Sequence, residues 1–312
     1  MTRPGVIFLC LLWALPAPAQ DAPPTATFHV ASQFVMLDAL VENRKTGTLI
    51  GELEATDFEV AEDGEPQRIA YFSHDQLPLS VVFLFDLTDS VRPILKPLVE
   101  GAREVLGHLK PQDQVAIMVF SSHDELLQDF TADRTLAAAQ IEQASNMKSG
   151  DGTFIHEDMY EAIDQALKST PPESRRVLVW LTDGTTNVAN RLTRNVLADN
   201  APPRLHSRQE ATAKLLQSGV VVAGLIDRSA VTDTLVAAGD LNPLAFLTGV
   251  HTGDINRYAE ITGGPVLRTT KQEVAARLGE LIDQLRRRYT LGYTPSAPKA
   301  AGTFCQLRVT LP

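Results

Sequence analysis

Cysteine is almost missing from this chain: two occur among 312 residues, Cys10 and Cys305. Cys10 lies inside an N-terminal apolar stretch that reads as a leader, so the mature chain keeps one thiol. One thiol cannot close an intramolecular disulfide, and stability must come from the core, which a chain of this length can build. Cys305 itself reads as a small strand residue, not a reactive thiol. The seven histidines are scattered, without a His-x-x-x-His pair, which argues against a zinc site. His156 is expected to be solvent-exposed in the first turn of a helix. No Gly-x-Ser-x-Gly elbow, Walker loop or Gly-x-Gly-x-x-Gly fingerprint occurs, so nucleotide chemistry has no local support. Positive charge is in deficit as well, with 28 Lys and Arg against 38 Asp and Glu, a net −10. That balance argues against nucleic acid as a partner. Long apolar runs are also lacking: Val6 to Leu15 spans ten residues, short for a membrane crossing.

What that run does resemble is the core of a secretory signal. Arg3 gives a positive start, and Ala17-Pro18-Ala19 gives a small-residue cleavage site, so residues 1–19 are expected to be removed after Ala19. Loss of Arg3 takes the net charge to −11. The mature chain is then secreted or periplasmic, with membrane association only if the leader stays uncleaved. A lipoprotein reading of Cys10 fails because Phe8-Leu9 precede it instead of small residues.

Beyond the leader, three segments differ in pattern. Residues 25–77 carry short alternating stretches, such as Phe34 to Val41, and the hairpin signal Asp63-Gly64, which predicts a small β module. Residues 79–288 alternate buried-strand runs with helical periodicity in the manner of a doubly wound α/β fold with a mostly parallel sheet. The strand candidates there are Val81 to Phe85, Val115 to Phe120, Glu125 to Phe130 at an edge, Val177 to Thr182, Val220 to Ile226 and Pro265 to Arg268. A last helix is expected from Lys271 to Arg287, and the positive charge of Arg286-Arg287-Arg288 would there oppose the negative end of the helix dipole. Residues 289–312 are expected to pack with the β module and complete it, since an unpaired final strand over Thr303 to Leu311 would leave an open edge.

The chemistry concentrates at strand ends. Leu79 to Phe85 runs into Asp86-Leu87-Thr88-Asp89-Ser90, which puts a carboxylate and two hydroxyls on one short loop. Hard oxygens in that spacing suit Mg²⁺ or Mn²⁺, although the same residue types also cap helices. Gly150-Asp151-Gly152-Thr153 is a close-approach loop before a helix from Ile155 to Lys168, and Arg176 to Gly184 is a second buried run that ends in Asp183. In an open parallel sheet these loops converge on one crevice, so Asp86, Thr88, Ser90, Thr153 and Asp183 can share a site.

That set resembles the metal-ion-dependent adhesion site of the von Willebrand factor type A family: Asp-x-Ser-x-Ser, then a loop Thr, then a strand-end Asp. Here Thr88 stands for the first serine and keeps the hydroxyl. The resemblance implies that Thr88, Ser90 and, in some states, Thr153 bind Mg²⁺ or Mn²⁺ directly, while Asp86 and Asp183 act through water. Asp57 to Val60 with Glu62-Asp63-Gly64, and Tyr289, Gly292, Tyr293 and Pro295, further resemble a subgroup of secreted bacterial proteins related to that family. The resemblance then covers most of the mature chain.

By the same resemblance, the bound ion keeps an open position for an acidic side chain of a protein ligand. The expected role is adhesion or assembly, with no small-molecule substrate and no enzymatic turnover. A structural envelope module with a vestigial metal site is the alternative, and a metal-dependent hydrolase is disfavoured because no general base is placed by a motif. Two long segments on the metal edge, Thr185 to Arg204 and Arg228 to Asp254, are expected to form the partner-facing rim. If they do, Phe246→Ser combined with Leu247→Ser weakens partner capture in a pull-down and leaves metal affinity unchanged.

Overall fold

The strand Leu79–Asp86 (β5) is buried at every position. Its sequence lacks polar alternation because both faces are covered, as parallel sheets require. In the computed structural model β5 pairs in parallel with Gln114–Phe120 (β6) and with Arg175–Thr182 (β8). Beyond β8 come Val221–Asp227 (β10) and then Val266–Thr269 (β12), also parallel. Asp124–Thr131 (β7) runs antiparallel along β6 and closes the other edge. The order β12-β10-β8-β5-β6-β7 is a doubly wound, mostly parallel sheet of six strands, as the strand pattern predicts. The structure describes residues 34–74, 77–89, 91–121, 124–148, 154–171, 173–187, 206–227, 250–252, 254–297, 299, 303 and 305–312, and the leader lies outside them.

Six helices among the described residues cover the two faces: Arg92–Gly107 (α1), Arg134–Asn146 (α2), Ile155–Leu167 (α3), Arg208–Ser218 (α4), Asp254–Thr262 (α5) and Val274–Arg286 (α6). Successive side chains of a strand point to opposite faces, and β5 divides accordingly. Val81, Phe83 and Phe85 share a core with Ile94 and Leu98 of α1 and Leu281 of α6. Val82 and Leu84 share the opposite core with Trp180, Met159 and Ile163 of α3, Leu215 of α4 and Tyr258 of α5. Local signals set the helix starts. The Asp133 carboxylate accepts from Thr135 N and Leu136 N ahead of α2, and Ser207 with Glu210 forms a capping box ahead of α4. Helix α6 begins at Val274 instead of Lys271, because Thr270 O accepts from Glu273 N in a preceding turn. Among the described residues no helix is long and apolar enough to cross a membrane.

The flanking segments build two small sheets. Val35–Ala39 (β1), Ile69–His74 (β4) and Tyr289–Tyr293 (β13) pair in the order β1-β13-β4, while Glu59–Glu62 (β2), Glu65–Gln67 (β3) and Leu307–Thr310 (β14) pair as β14-β2-β3. Residues 289–312 therefore divide between two sheets instead of extending one. Phe58 and Val60 pack with Tyr289, Leu291 and Tyr293 between them. The β2–β3 turn carries Asp63 at φ 50 and Gly64 at φ 91, the doubly left-handed turn that an Asp-Gly pair favours. Phe34–Pro312 make one compact unit.

A buried arginine joins the small sheets to the large one. Arg175, the first residue of β8, pairs with Asp38 Oδ2 of β1 at 3.0 Å. Its Nη1 donates to Leu285 O at 2.8 Å, and its Nη2 to Arg288 O at 3.1 Å and to Thr290 Oγ1 at 2.7 Å. Thr290 Oγ1 donates in turn to Asp38 Oδ1 at 2.6 Å. Two arginines of the 286–288 run are also buried and partnered, while Arg287 is exposed. Arg286 pairs with the fully buried Asp113, and Arg288 donates to Gly263 O at 2.7 Å. Burial lowers the Arg288 pKa to about 10. Removing one partner of a buried ion pair typically costs about 3–5 kcal/mol. Arg175→Ala is therefore expected to lower unfolding stability by that order in a denaturant titration.

Candidate metal centre

Three neighbouring strands of the large sheet end in carboxylates: Asp86 closes β5, Asp183 follows β8, and Asp227 closes β10. Asp86 has no solvent exposure and Asp183 has 4%. The Asp86 carboxyl is fixed by its own loop and by the next strand. Its Oδ1 accepts from Thr88 N at 2.8 Å and from Thr88 Oγ1 at 2.6 Å, and its Oδ2 accepts from Thr182 Oγ1 at 2.8 Å. Thr182 Oγ1 also accepts from Gly184 N at 3.1 Å, so one threonine sets both the Asp86 carboxyl and the turn after Asp183. That turn needs Gly184, whose φ of +77 is a left-handed backbone that side chains resist.

Electrostatics there are one-sided. Burial, and next the Asp183 charge, push the Asp86 pKa up to about 7, against the hydrogen bonds from Thr88 and Thr182 that hold it down. Asp227 is raised for the same two reasons, burial and Asp183, with Lys271 opposing. Two more carboxyls lie on the α3 side. Burial holds the Asp158 pKa well above the usual carboxylate range, with Asp124 and Asp86 adding to it. The donor set around Asp86 and Asp183 is oxygen only, partly buried and short of positive charge. It therefore fits a hard divalent cation such as Mg²⁺ or Mn²⁺ better than a soft one.

Of the five residues expected from the sequence, Asp86, Thr88 and Asp183 stand together at this edge, while Ser90 and Thr153 lie outside the described residues. The helix-capping role is not what Asp86 and Thr88 do: the N-cap of α1 is Val91, with no side-chain cap bond, and Thr88 O accepts from Val91 N and Arg92 N. Sequence reasoning missed Asp227, although Val221–Asp227 repeats the strand-then-aspartate signature. It also missed Asp158, which the helical period places on the buried face, between Ile155 and Ala162. His156 is a correction. It is half-buried, not exposed, because its Nδ1 lies 2.8 Å from Tyr258 Oη and the two rings meet edge to face. The two long segments at this edge are tied at their roots, since Thr185–Asn187 (β9) pairs antiparallel with Val250–Thr252 (β11). Residues 188–205 and 228–249, including Phe246 and Leu247, lie outside the described residues.

Residues 81–185 match the model of the von Willebrand factor type A domain. The matched segment runs from β5 through β8 and includes Asp86 and Asp183. Among solved structures, a conserved hypothetical protein, BatB from Bacteroides thetaiotaomicron, is 16% identical, with 66% of this chain and 98% of that chain covered and a TM-score of 0.45. The vWF domain of the pili tip protein Mfa5 from Porphyromonas gingivalis is 12% identical, covering 67% and 95%, with a TM-score of 0.45. The pilus adhesin SpaC from Lactobacillus rhamnosus GG is 11% identical, covering 79% and 35%, with a TM-score of 0.47. No curated protein matches the chain.

Because Thr182 serves Asp86 and Gly184 together, Thr182→Val strips a buried carboxyl of one donor and unpins the turn after Asp183. Leaving a buried polar group short of a partner costs about 1–3 kcal/mol. A loss of that size is expected in thermal or denaturant unfolding of the metal-free protein, without change in secondary-structure content.

Proposed function

We propose that this is an exported, non-enzymatic protein that binds Mg²⁺ or Mn²⁺ at the Asp86–Asp183 edge and captures a protein ligand through an acidic side chain. The observation that carries the reading is the pair of buried strand-end carboxyls, with Asp86 pushed up to about 7 by burial and by Asp183. Mutual repulsion in a desolvated crevice is relieved by a cation. Thr88, Ser90 and Thr153 are assigned as direct hydroxyl ligands, with Asp86 and Asp183 acting through water. Hydroxyls and water leave the charge of a divalent ion incompletely neutralised, which makes a carboxylate from another protein a fitting last ligand. The surrounding loops then set which acidic side chain is accepted, in an adhesion or assembly role.

A thermal melt of the mature chain with Mg²⁺, with Mn²⁺ and with chelator, beside Asp183→Ala, tests this. Ion at a hundred times its dissociation constant adds about 2.7 kcal/mol, or about 5 to 11 °C for a domain of this size. That shift is expected in the native chain and lost in the variant. Absence of a shift at millimolar ion would overturn the metal assignment.

A further inference from the structure

The geometry points to a second divalent-cation site, formed by Asp124 and Asp158 beside the Asp86 loop. Asp158 sits in the second turn of α3 and is 2% exposed, and its Oδ2 is buried without a hydrogen-bond donor. The side chain that acts on it most strongly is another carboxyl, that of Asp124, with Asp86 contributing from β5. Strand register accounts for the grouping. Asp124 pairs across from Phe120 in the β6–β7 ladder, and Phe120 pairs with Asp86 in the β5–β6 ladder. These three carboxyls are thus carried by β5, β7 and the helix that covers them.

A carboxylate in such surroundings is costly unless it is protonated or paired with a cation. No basic side chain figures among the influences on Asp158. The Phe154 backbone hydrogen bond favours its charged form, while burial, the Asp124 charge, a side-chain hydrogen bond with Asp124 and the Asp86 charge oppose it. Asp124 is part-exposed as a residue although its Oδ1 is buried, so the pair lies close to solvent. Two carboxylates, with water completing the shell, are an ordinary protein contribution to a Mg²⁺ or Mn²⁺ site. This site does not use Asp183, so it and the proposed adhesion-type site can fail separately.

Mn²⁺ binding to the mature chain, counted by equilibrium dialysis with free ion read by electron paramagnetic resonance, decides between them. Two Mn²⁺ per chain are expected for the native protein. One is expected for Asp158→Asn, for the part-exposed Asp124→Asn and for Asp183→Ala, each checked for native circular dichroism. One ion in the native chain that Asp183→Ala abolishes and Asp158→Asn retains would mean that the Asp124–Asp158 pair holds a proton, which overturns this inference and leaves the function above standing. One ion lost in Asp158→Asn and kept in Asp183→Ala would do the reverse. No bound ion at millimolar Mn²⁺ overturns both.

Discussion

Arg175 is the point through which the architecture is joined. It begins the strand whose far end carries Asp183, and its guanidinium reaches β1, the end of α6 and β13 at once. Charge pairing at such depth needs several partners, because desolvating an ion costs several kcal/mol before any attraction is gained. Here the carbonyls of Leu285 and Arg288, the Thr290 hydroxyl and the Asp38 carboxylate share that task. The small sheets are therefore fastened to the N-terminal ends of the parallel strands. The carboxylate edge lies at the opposite ends, a strand length of about 26 Å away at the usual rise per residue.

That separation puts two electrostatic regimes in one molecule. At the Arg175 end, acid and base are matched: Asp38 with Arg175, Asp113 with Arg286. At the Asp86 end, burial and the Asp183 charge raise the Asp86 pKa, and hydrogen bonds from the neutral donors Thr88 and Thr182 oppose the rise. The two ends of the strands therefore differ: matched ion pairs at one, and at the other a carboxyl raised by burial and by its neighbour.

How much of this was readable in advance depended on whether the signal was local. Nearly continuous apolar runs such as Leu79 to Phe85 and Val177 to Leu181 announced the parallel sheet, and an aspartate just past each run announced the edge. Asp158 was hidden because, in a helix, an acidic residue among Ile155, Met159 and Ala162 reads as a solvated position until the covering strand is known. The Arg175–Asp38 pair joins residues far apart in sequence, and no local spacing encodes it. His156 was assigned to solvent for the same reason, and the partners of the buried Arg286 and Arg288 went unread: Tyr258, Asp113 and Gly263 come from other elements. The small sheets were half legible, since the Asp63-Gly64 turn fixed one hairpin, while strands of three to six residues take their register from partners at the other end of the chain.

The β9–β11 ladder gives the carboxylate edge a freedom that the rest of the sheet lacks. Lengthening a loop whose roots are held together is cheap, about 0.6 kcal/mol for each doubling of length. Insertions or drift within 188–205 and 228–249 can then be tolerated without moving Asp183 or Asp227. The clasp separates a frame that must keep its geometry from segments free to diversify in length and sequence.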